Sequence, residues 1–362
     1  MDSFAVAIFA INEENLERKR GLKIQRKILR DAFNPFDNDD KIFRKNYRVN
    51  KAAFKYLLEE LDQELDPCVF SFSITPISRL AAVLRFLAEG GYQYGVGKDF
   101  EIGMAQSTFS ANLKTVLNVL ERKLCPVFIK LEMTDAEKLE AKRDFYSKAR
   151  FPGTIMGVDG THIKIIAPVE EKFVYYNRKG YYSLNAMVIC DNKMRIRFVD
   201  ARYPGSNHDS HVWNLSSARA HFLTKFREGE RSTWILGDAG YPLEPWLITP
   251  YRCPEPGSLQ SNFNLMHSKT RNMVERVIGV IKNRSRCILS ARQLHYSPQK
   301  AAQIINVACA LHNICIHFKV EDDFGSVEPD PETEEASEGG NDESNYHNVA
   351  VQIRDNILSA LT

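Results

Sequence analysis

Three acidic residues that lie far apart in the chain have the type and the setting needed to bind metal ions. Asp159 follows an apolar run at residues 155–158, and Asp238 follows a second apolar run at residues 234–237. Glu275 lies in a segment whose pattern predicts a helix. Two aspartates at strand ends and a helical glutamate can converge on divalent cations, because Mg²⁺ and Mn²⁺ prefer hard oxygen ligands. Cleavage of a phosphodiester bond is the chemistry that such a site would support.

The motifs around these acids carry more information than the acids alone. The chain has 46 Asp and Glu residues, so three acids beside predicted elements can arise by chance. The surrounding motifs, however, follow one another in a definite order. In chain order they are DGTHI at 159–163, AP at 167–168, NRKG at 177–180, PGSNHDS at 204–210, GDAGYP at 237–242, NMVER at 272–276 and LHN at 311–313.

That succession closely resembles the DDE endonuclease domain of PIF/Harbinger transposases, and in particular the transposase-derived nucleases of animals, over residues 75–318. The resemblance implies an α/β fold with an RNase H-like nuclease core behind an all-helical N-terminal region. It implies that Asp159, Asp238 and Glu275 are the catalytic, metal-binding triad, with Mg²⁺ or Mn²⁺ as cofactor. The implied function is a metal-dependent DNA endonuclease, a transposase or its domesticated descendant, that hydrolyses phosphodiester bonds by a two-metal mechanism.

Two other functions remain open on the sequence. The first is a non-cleaving nuclear DNA-binding or adaptor protein derived from a transposase; such proteins often lose a metal ligand, and here all three are intact. The second is a metallohydrolase acting on small substrates, which the motifs and the basic body of the chain disfavour. The resemblance also implies DNA and a separate Myb-like protein as partners, and a nuclear location with a cytoplasmic share. A homo-oligomer is compatible with it.

Further residues are candidates for supporting roles. Asp209 is interpreted as the cap of a following helix or as an additional acid behind the metal ligands, with the cap favoured. Lys282 lies seven positions after Glu275, on nearly the same helical face, where it could neutralise a phosphate. A solvated position is the alternative for each basic candidate. The candidates for DNA or phosphate contact are Lys282, Arg276, Arg284, Arg178 and Lys179.

Charge is distributed unevenly along the chain. Of the 362 residues, 44% are hydrophobic and 26% charged, which is ordinary for a globular protein. Residues 321–362 contain twelve acidic residues and one basic residue, Arg354, so residues 1–320 carry 34 acidic and 47 basic side chains. A basic body favours a polyanionic partner. No apolar run approaches the roughly 18–20 residues that span a bilayer, and we expect no secretory signal.

The pattern of the chain predicts five segments. They are a basic N-terminal segment at 1–50, a helical region at 51–150, the nuclease domain at 151–320, an acidic disordered linker at 321–345 and an amphipathic helix at 346–362. In the helical region, the order of helices and glycine turns is that of a helix-turn-helix module, although an all-helical packing domain is the alternative. The candidates to face DNA there are Gln106, Ser107, Ser110, Asn112 and Lys114, after a cap at Ser107 or Thr108.

Runs rich in Val and Ile predict strands from residue 151 onward. They cover residues 154–159, 162–167, 184–190, 194–201, 232–237 and 247–251. Seven scattered cysteines without a CxxC pair favour neither a disulfide framework nor a zinc site. Cys309, His312 and Cys315 fall in an apolar helical run, where core positions are favoured over a zinc site.

Overall fold

The chain forms two compact units, residues 1–120 and 121–362. A computed structural model describes residues 3–65, 73–98, 102–289, 293–321 and 346–361. The second unit thus begins 30 residues before the predicted start of the nuclease domain at residue 151, and it includes the helix at Asp135–Ala149. Apart from residue 321, the predicted disordered linker lies outside the described residues. Among the described helices, none is long and apolar enough to cross a membrane.

The first unit is helical, and aromatic residues fill part of its core. Phe43 and Phe54 are fully buried, with ring centroids 5.4 Å apart. The fourth helix begins after Thr75, whose Oγ1 accepts from the backbone N–H of Ser78, and ends at Gly90 in the left-handed region. The helices are α1 Ser3–Asp31, α2 Asp40–Tyr47, α3 Lys51–Asp62, α4 Pro76–Glu89, α5 Gln93–Lys98 and the start of α6, Gln106–Phe128.

One of the residues expected to face DNA from α6 lies in the core instead. Asn112 is buried, and its Nδ2 donates to the backbone oxygen of Arg79 at 3.1 Å. This side chain therefore ties α6 to α4, and its assignment as a DNA contact is wrong. The helix begins at Gln106, so Ser107 and Thr108 lie inside its first turn and are not its cap. The other four candidates, Gln106, Ser107, Ser110 and Lys114, are exposed, and their contact with DNA stays a prediction.

The second unit is built on a mixed five-stranded sheet in the order β3-β2-β1-β4-β5. The first three strands are antiparallel, and β4 and β5 run parallel to β1. This topology, with helices after the leading hairpins, confirms the RNase H-like prediction. The two strands predicted at 154–159 and 162–167 are one long strand. The strands are β1 Thr154–Lys164, β2 Ser183–Asp191, β3 Ile196–Pro204, β4 Trp234–Leu236 and β5 Leu247–Ile248.

Helices pack on this sheet and supply most of the core. The helices α7 and α10 pack against β1, and α11 packs against β3. Met187 on β2 and Trp213 on α8 belong to one buried cluster. The helices are α7 Asp135–Ala149, α8 Asp209–Leu215, α9 Ser217–Arg227, α10 Leu259–Arg284, α11 Pro298–His317 and α12 His347–Ala360.

The C-terminal helix α12 docks on its own unit. Ile357 is buried in a cluster with Phe151, Trp234 and Phe263. The guanidinium of Arg354 lies 4.0 Å from the ring centroid of Tyr251. Burial of an apolar face drives this docking, so the terminal segment contributes to the core of the second unit.

The candidate zinc ligands on α11 are core residues. Cys309, His312 and Cys315 are buried. The Nε2 of His312 donates to the backbone oxygen of Met194 at 2.8 Å, and its Nδ1 accepts from Arg284 Nη1 at 3.0 Å. Both ring nitrogens are engaged within the protein, as the core interpretation predicts.

Candidate active site

Two of the predicted acids belong to the neighbouring strands β1 and β4 or follow shortly after them. These strands are parallel neighbours, and Gly157 is paired with Leu236. Asp159 and Asp238 each lie two residues beyond that pair. Asp159 lies within β1, whereas Asp238 follows the end of the parallel strand β4 at Leu236.

Asp159 is the most buried of the predicted ligands. Its side chain is 2% exposed. The Oδ1 atom accepts from the backbone N–H of Gly160 at 3.0 Å, and Oδ2 lies 3.3 Å from Arg271 Nη1. A carboxylate that is removed from water needs such partners to stay charged.

Glu275 reaches the same place from α10. Val274 packs against β1, where a Cβ built on Gly157 would lie 3.5 Å from the valine Cβ. Arg271 Nη2 donates to Glu275 Oε1 at 2.5 Å, one helical turn away. The same guanidinium contacts Asp159, so it bridges two of the three acids. Sequence reasoning missed Arg271, although its position four residues before Glu275 was a usable signal.

A buried phenol lies near Asp159, Asp209 and Asp238. We refer to these three aspartates and Glu275 as the acidic group. Tyr241 is 4% exposed, and its hydroxyl has no hydrogen-bond partner among the residues that the structure describes. The pKa of Tyr241 is raised by burial and by the negative charges of Asp209, Asp159 and Asp238. Three carboxylates from three separate segments therefore act on one hydroxyl. Asp238 is partly exposed, and its Oδ1 accepts from the backbone N–H of Gly240 at 2.9 Å.

Asp209 belongs to this acidic group and does not cap a helix. The cap position of α8 is occupied by His208, without a side-chain hydrogen bond, so the favoured interpretation of Asp209 as a cap is wrong. Its Oδ1 accepts from Asn185 Nδ2 at 2.7 Å. A Cβ on Gly160 would lie 2.4 Å from the same oxygen, so only glycine leaves room beside Asp159 for this carboxylate. Burial, followed by the charge of Asp238, raises the pKa of Asp209 to about 6.

The NRKG motif forms a turn that holds two cations near the acids. Asn177 Nδ2 donates to Ser183 Oγ at 2.8 Å, and its Oδ1 accepts from the backbone N–H of Lys179 at 3.0 Å. Arg178 and Lys179 are exposed on this turn. The charge of Arg178 opposes the rise in the pKa of Asp209. The turn therefore lies within electrostatic reach of the acidic group.

A third cation, Lys282 on α10, acts on His162 together with Arg178 and Lys179. His162 Nδ1 and Ser183 Oγ lie 3.0 Å apart. Burial, followed by the charges of Lys179, Arg178 and Lys282, lowers the pKa of His162 to about 4. The imidazole is therefore neutral at pH 7. Cations from the turn and from α10 thus converge on one side chain of β1.

The two remaining basic candidates differ in their position. Arg276 is exposed on α10. Arg284 is 6% exposed, and its Nη1 donates to His312. The assignment of Arg284 as a phosphate contact is therefore wrong, because its guanidinium lies in the core between α10 and α11.

The donor set suits a hard divalent cation, although its present arrangement does not gather the ligands. Within the described ranges, no three His, Cys, Asp or Glu side chains lie together closely enough to hold a metal ion. The guanidinium of Arg271 instead lies between Asp159 and Glu275. These two carboxylates therefore already accommodate a positive charge. Their oxygens fit Mg²⁺ or Mn²⁺ by type, and a divalent cation there would share these carboxylates with Arg271 or displace it.

Comparisons with known proteins identify the family of the chain. Residues 158–313 match the family model described as DDE superfamily endonuclease. A rat protein named "Putative nuclease HARBI1" is 32% identical over 311 residues, 84% of this chain and 87% of the relative. Its human counterpart is 31% identical over 80% of this chain and 82% of its own length. An Arabidopsis protein named "Protein ALP1-like" is 28% identical over 78% and 72%. No solved structure matches significantly.

Proposed function

Since the chain belongs to the DDE superfamily endonucleases, among the nucleases derived from Harbinger transposases, we propose that it hydrolyses DNA phosphodiester bonds at Asp159, Asp238 and Glu275. The observation that carries the proposal is the arrangement of Asp159, Asp238 and Glu275. Asp159 lies on β1, Asp238 follows the neighbouring parallel strand β4, and Glu275 shares the guanidinium of Arg271 with Asp159.

Asp159, Asp238 and Glu275 would hold the divalent cations. Asp159 is buried and accepts a backbone hydrogen bond, so its position is well defined. Asp238 is more accessible, at the end of β4. Bound divalent cations activate the attacking water or 3′-hydroxyl and stabilise the leaving oxygen.

Cations beside the acids would position the DNA backbone. Arg178 and Lys179 lie on a turn that Asn177 holds in place, and Lys282 acts at the same point from α10. Lysine and arginine neutralise phosphates without reading the base sequence. The residues of this edge thus suit a polyanionic substrate whose scissile phosphate lies over the carboxylates.

Nicking of supercoiled plasmid tests the proposal. Wild-type protein is incubated with Mn²⁺ or Mg²⁺, beside Asp238→Asn and an EDTA control. The matched control is Asp135→Asn, an exposed aspartate on α7. We expect metal-dependent nicking by wild type and Asp135→Asn, and a loss of at least a hundredfold in Asp238→Asn.

Three outcomes have distinct meanings. Equal traces of nicking in wild type and Asp238→Asn would identify a contaminant and refute the proposed site. DNA retention by wild type without nicking in either metal would favour a non-cleaving DNA-binding protein. If Asp135→Asn also lost activity, the loss in Asp238→Asn would be attributed to general misfolding. The melting temperature of each variant would reveal such misfolding.

A further inference from the structure

The segment that joins β1 to β2, residues 165–182, exposes apolar side chains beside the acidic group. Val169 is fully exposed, Phe173 is 73% exposed and Tyr176 is 50% exposed. Such a concentration of exposed large apolar residues in one short segment marks an interaction surface.

This segment has a defined geometry on the body of the unit. Lys172–Tyr175 form a short 3-10 helix, and the backbone N–H of Ser206 donates to the oxygen of Val174 at 3.1 Å. The rings of Tyr176 and Tyr182 lie 5.2 Å apart across an isolated bridge. Phe173 is thus presented from an anchored backbone.

The anchoring point places Phe173 close to the proposed chemistry. Ser206 precedes Asp209 by three residues, so the chain between them spans at most about 11 Å. The carboxylate of Asp209 lies in turn against Gly160, the neighbour of Asp159. A ligand over the acidic group can therefore reach the Phe173 ring.

Charge on the segment favours a polyanion at this surface. Glu170 and Glu171 are exposed just before Lys172, whereas Arg178 and Lys179 follow Phe173 on the turn of the NRKG motif. Arg178 and Lys179 both act electrostatically on His162, and Arg178 also acts on Asp209. This end of the segment is therefore positively charged and close to the acidic group. An exposed aromatic ring flanked by cations is the arrangement that binds single-stranded nucleic acid, through stacking on bases and contacts to phosphates.

We propose that Phe173 stacks on an unpaired base of the DNA substrate, while Arg178 and Lys179 contact the phosphates beside it. The proposal rests on the proposed function, because it takes DNA to be the substrate. A phenyl ring forms no conventional hydrogen bonds with base edges, so it gains most from contact with the face of a base. In a paired duplex these faces are covered by neighbouring bases, and only an unstacked base offers one. This segment thereby selects DNA that is distorted near the cleaved bond.

The test compares two duplexes of equal length, one fully paired and one with a single bulged adenine. Affinities are measured by fluorescence anisotropy in EDTA, so that the DNA stays intact. The proteins are full-length wild type, Phe173→Ala, Phe173→Trp and the control Tyr146→Ala, which removes an exposed aromatic ring on α7. We expect wild type and Tyr146→Ala to prefer the bulged duplex by about tenfold. Phe173→Ala should bind both duplexes equally, with its affinity for paired DNA within about twofold of wild type.

Phe173→Trp supplies a direct readout of stacking. The three native tryptophans, Trp213, Trp234 and Trp246, are at most 7% exposed. An exposed indole at position 173 would emit at longer wavelength and would be quenched by a stacked base. We expect this variant to keep the preference and to lose emission with the bulged duplex but not with the paired one.

Several results would overturn the inference. Equal binding of both duplexes by wild type, or a preference retained by Phe173→Ala, would refute it while the proposed nuclease function stood. An unchanged emission of Phe173→Trp on binding bulged DNA would also refute it. Failure of all four proteins to bind either DNA would overturn both proposals together.

Discussion

The guanidinium of Arg271 lies 3.3 Å from the buried carboxylate of Asp159 and also donates to Glu275. A side chain of the protein therefore neutralises two acids that the proposed function assigns to divalent cations. The guanidinium offsets the repulsion between the two carboxylates, since like charges at close range disfavour the ionisation of both.

Replacement of Arg271 by methionine should change both stability and the response to metal. The substitution removes the positive charge that lies 3.3 Å from the buried carboxylate of Asp159, so we expect the metal-free protein to lose about 3–5 kcal/mol of unfolding free energy. Manganese should then raise the melting temperature more in Arg271→Met than in wild type. Thermal unfolding with and without Mn²⁺ measures both effects.

The neighbouring exposed arginine supplies the control for that substitution. Arg276→Met removes a charge from the same helix without touching the bridge, and should behave as wild type. An identical metal-induced shift in Arg271→Met and wild type would show that Arg271 does not compete with the cation.

A methyl group at position 160 should disturb the site. The Cβ of Gly160→Ala would lie 2.4 Å from Asp209 Oδ1, so the carboxylate or β1 must shift. We expect a lower melting temperature and at least a tenfold loss of plasmid nicking. The double variant with Asp209→Ala should recover much of the lost stability, because the clash disappears.

Glycine position 21 supplies the control for the added methyl group. A Cβ on Gly21, in α1, would have no neighbour within 4 Å. Gly21→Ala should leave nicking unchanged and stabilise the helix slightly. If Gly160→Ala nicked plasmid as well as wild type, close packing of Asp209 against β1 would be irrelevant to function.

The pH dependence of stability should reveal the ion pairs of Glu137. Burial raises the pKa of this carboxyl, but the hydrogen bond from Arg197, at 2.7 Å, and further partners outweigh it and lower the pKa to about 2. The charged form is thus favoured in the folded state. Its stabilisation is complete above the ordinary value of 4.5 and is lost as the pH falls from there towards 2.

Urea unfolding of Glu137→Gln measures this contribution. At pH 7 we expect the variant to lose about 2 kcal/mol relative to wild type, and the difference should shrink at pH 3. Glu140→Gln, on the same helix, removes an exposed pair with Lys193 and should cost less than about 1 kcal/mol. A difference that grew on acidification would contradict the assigned direction of the pKa shift.

Docking of α12 predicts a large effect from one buried side chain. Ile357 is 4% exposed, and Ile357→Ala should lower the free energy of unfolding by about 2–4 kcal/mol. Val349→Ala, at a residue 38% exposed on the same helix, should cost well under half as much. Equal effects of the two substitutions, measured by urea unfolding, would show that α12 does not pack on the body in solution.

Local patterns in the sequence were sufficient for the family and for the choice of candidate acids. The ordered motifs gave the RNase H-like fold, and runs of β-branched residues located the strands to within a few residues. Asp159, Asp238 and Glu275 could be named because each stands in a distinctive short motif. These motifs are made of neighbouring residues, so they can be recognised without knowledge of the packing.

Only the tertiary structure decided which side chains meet. The parallel pairing of β1 with β4, at Gly157 and Leu236, joins the segments that carry Asp159 and Asp238, and strand register depends on contacts between distant segments. In the sequence, nothing distinguishes Arg271 from other arginines in predicted helices. The packing of α10 against β1 brings it to Asp159. Arg284 and Asn112 likewise read as surface cations or DNA contacts, although both are buried. A polar residue can lie in the core wherever a partner from another element satisfies it, and a linear sequence does not show that partner.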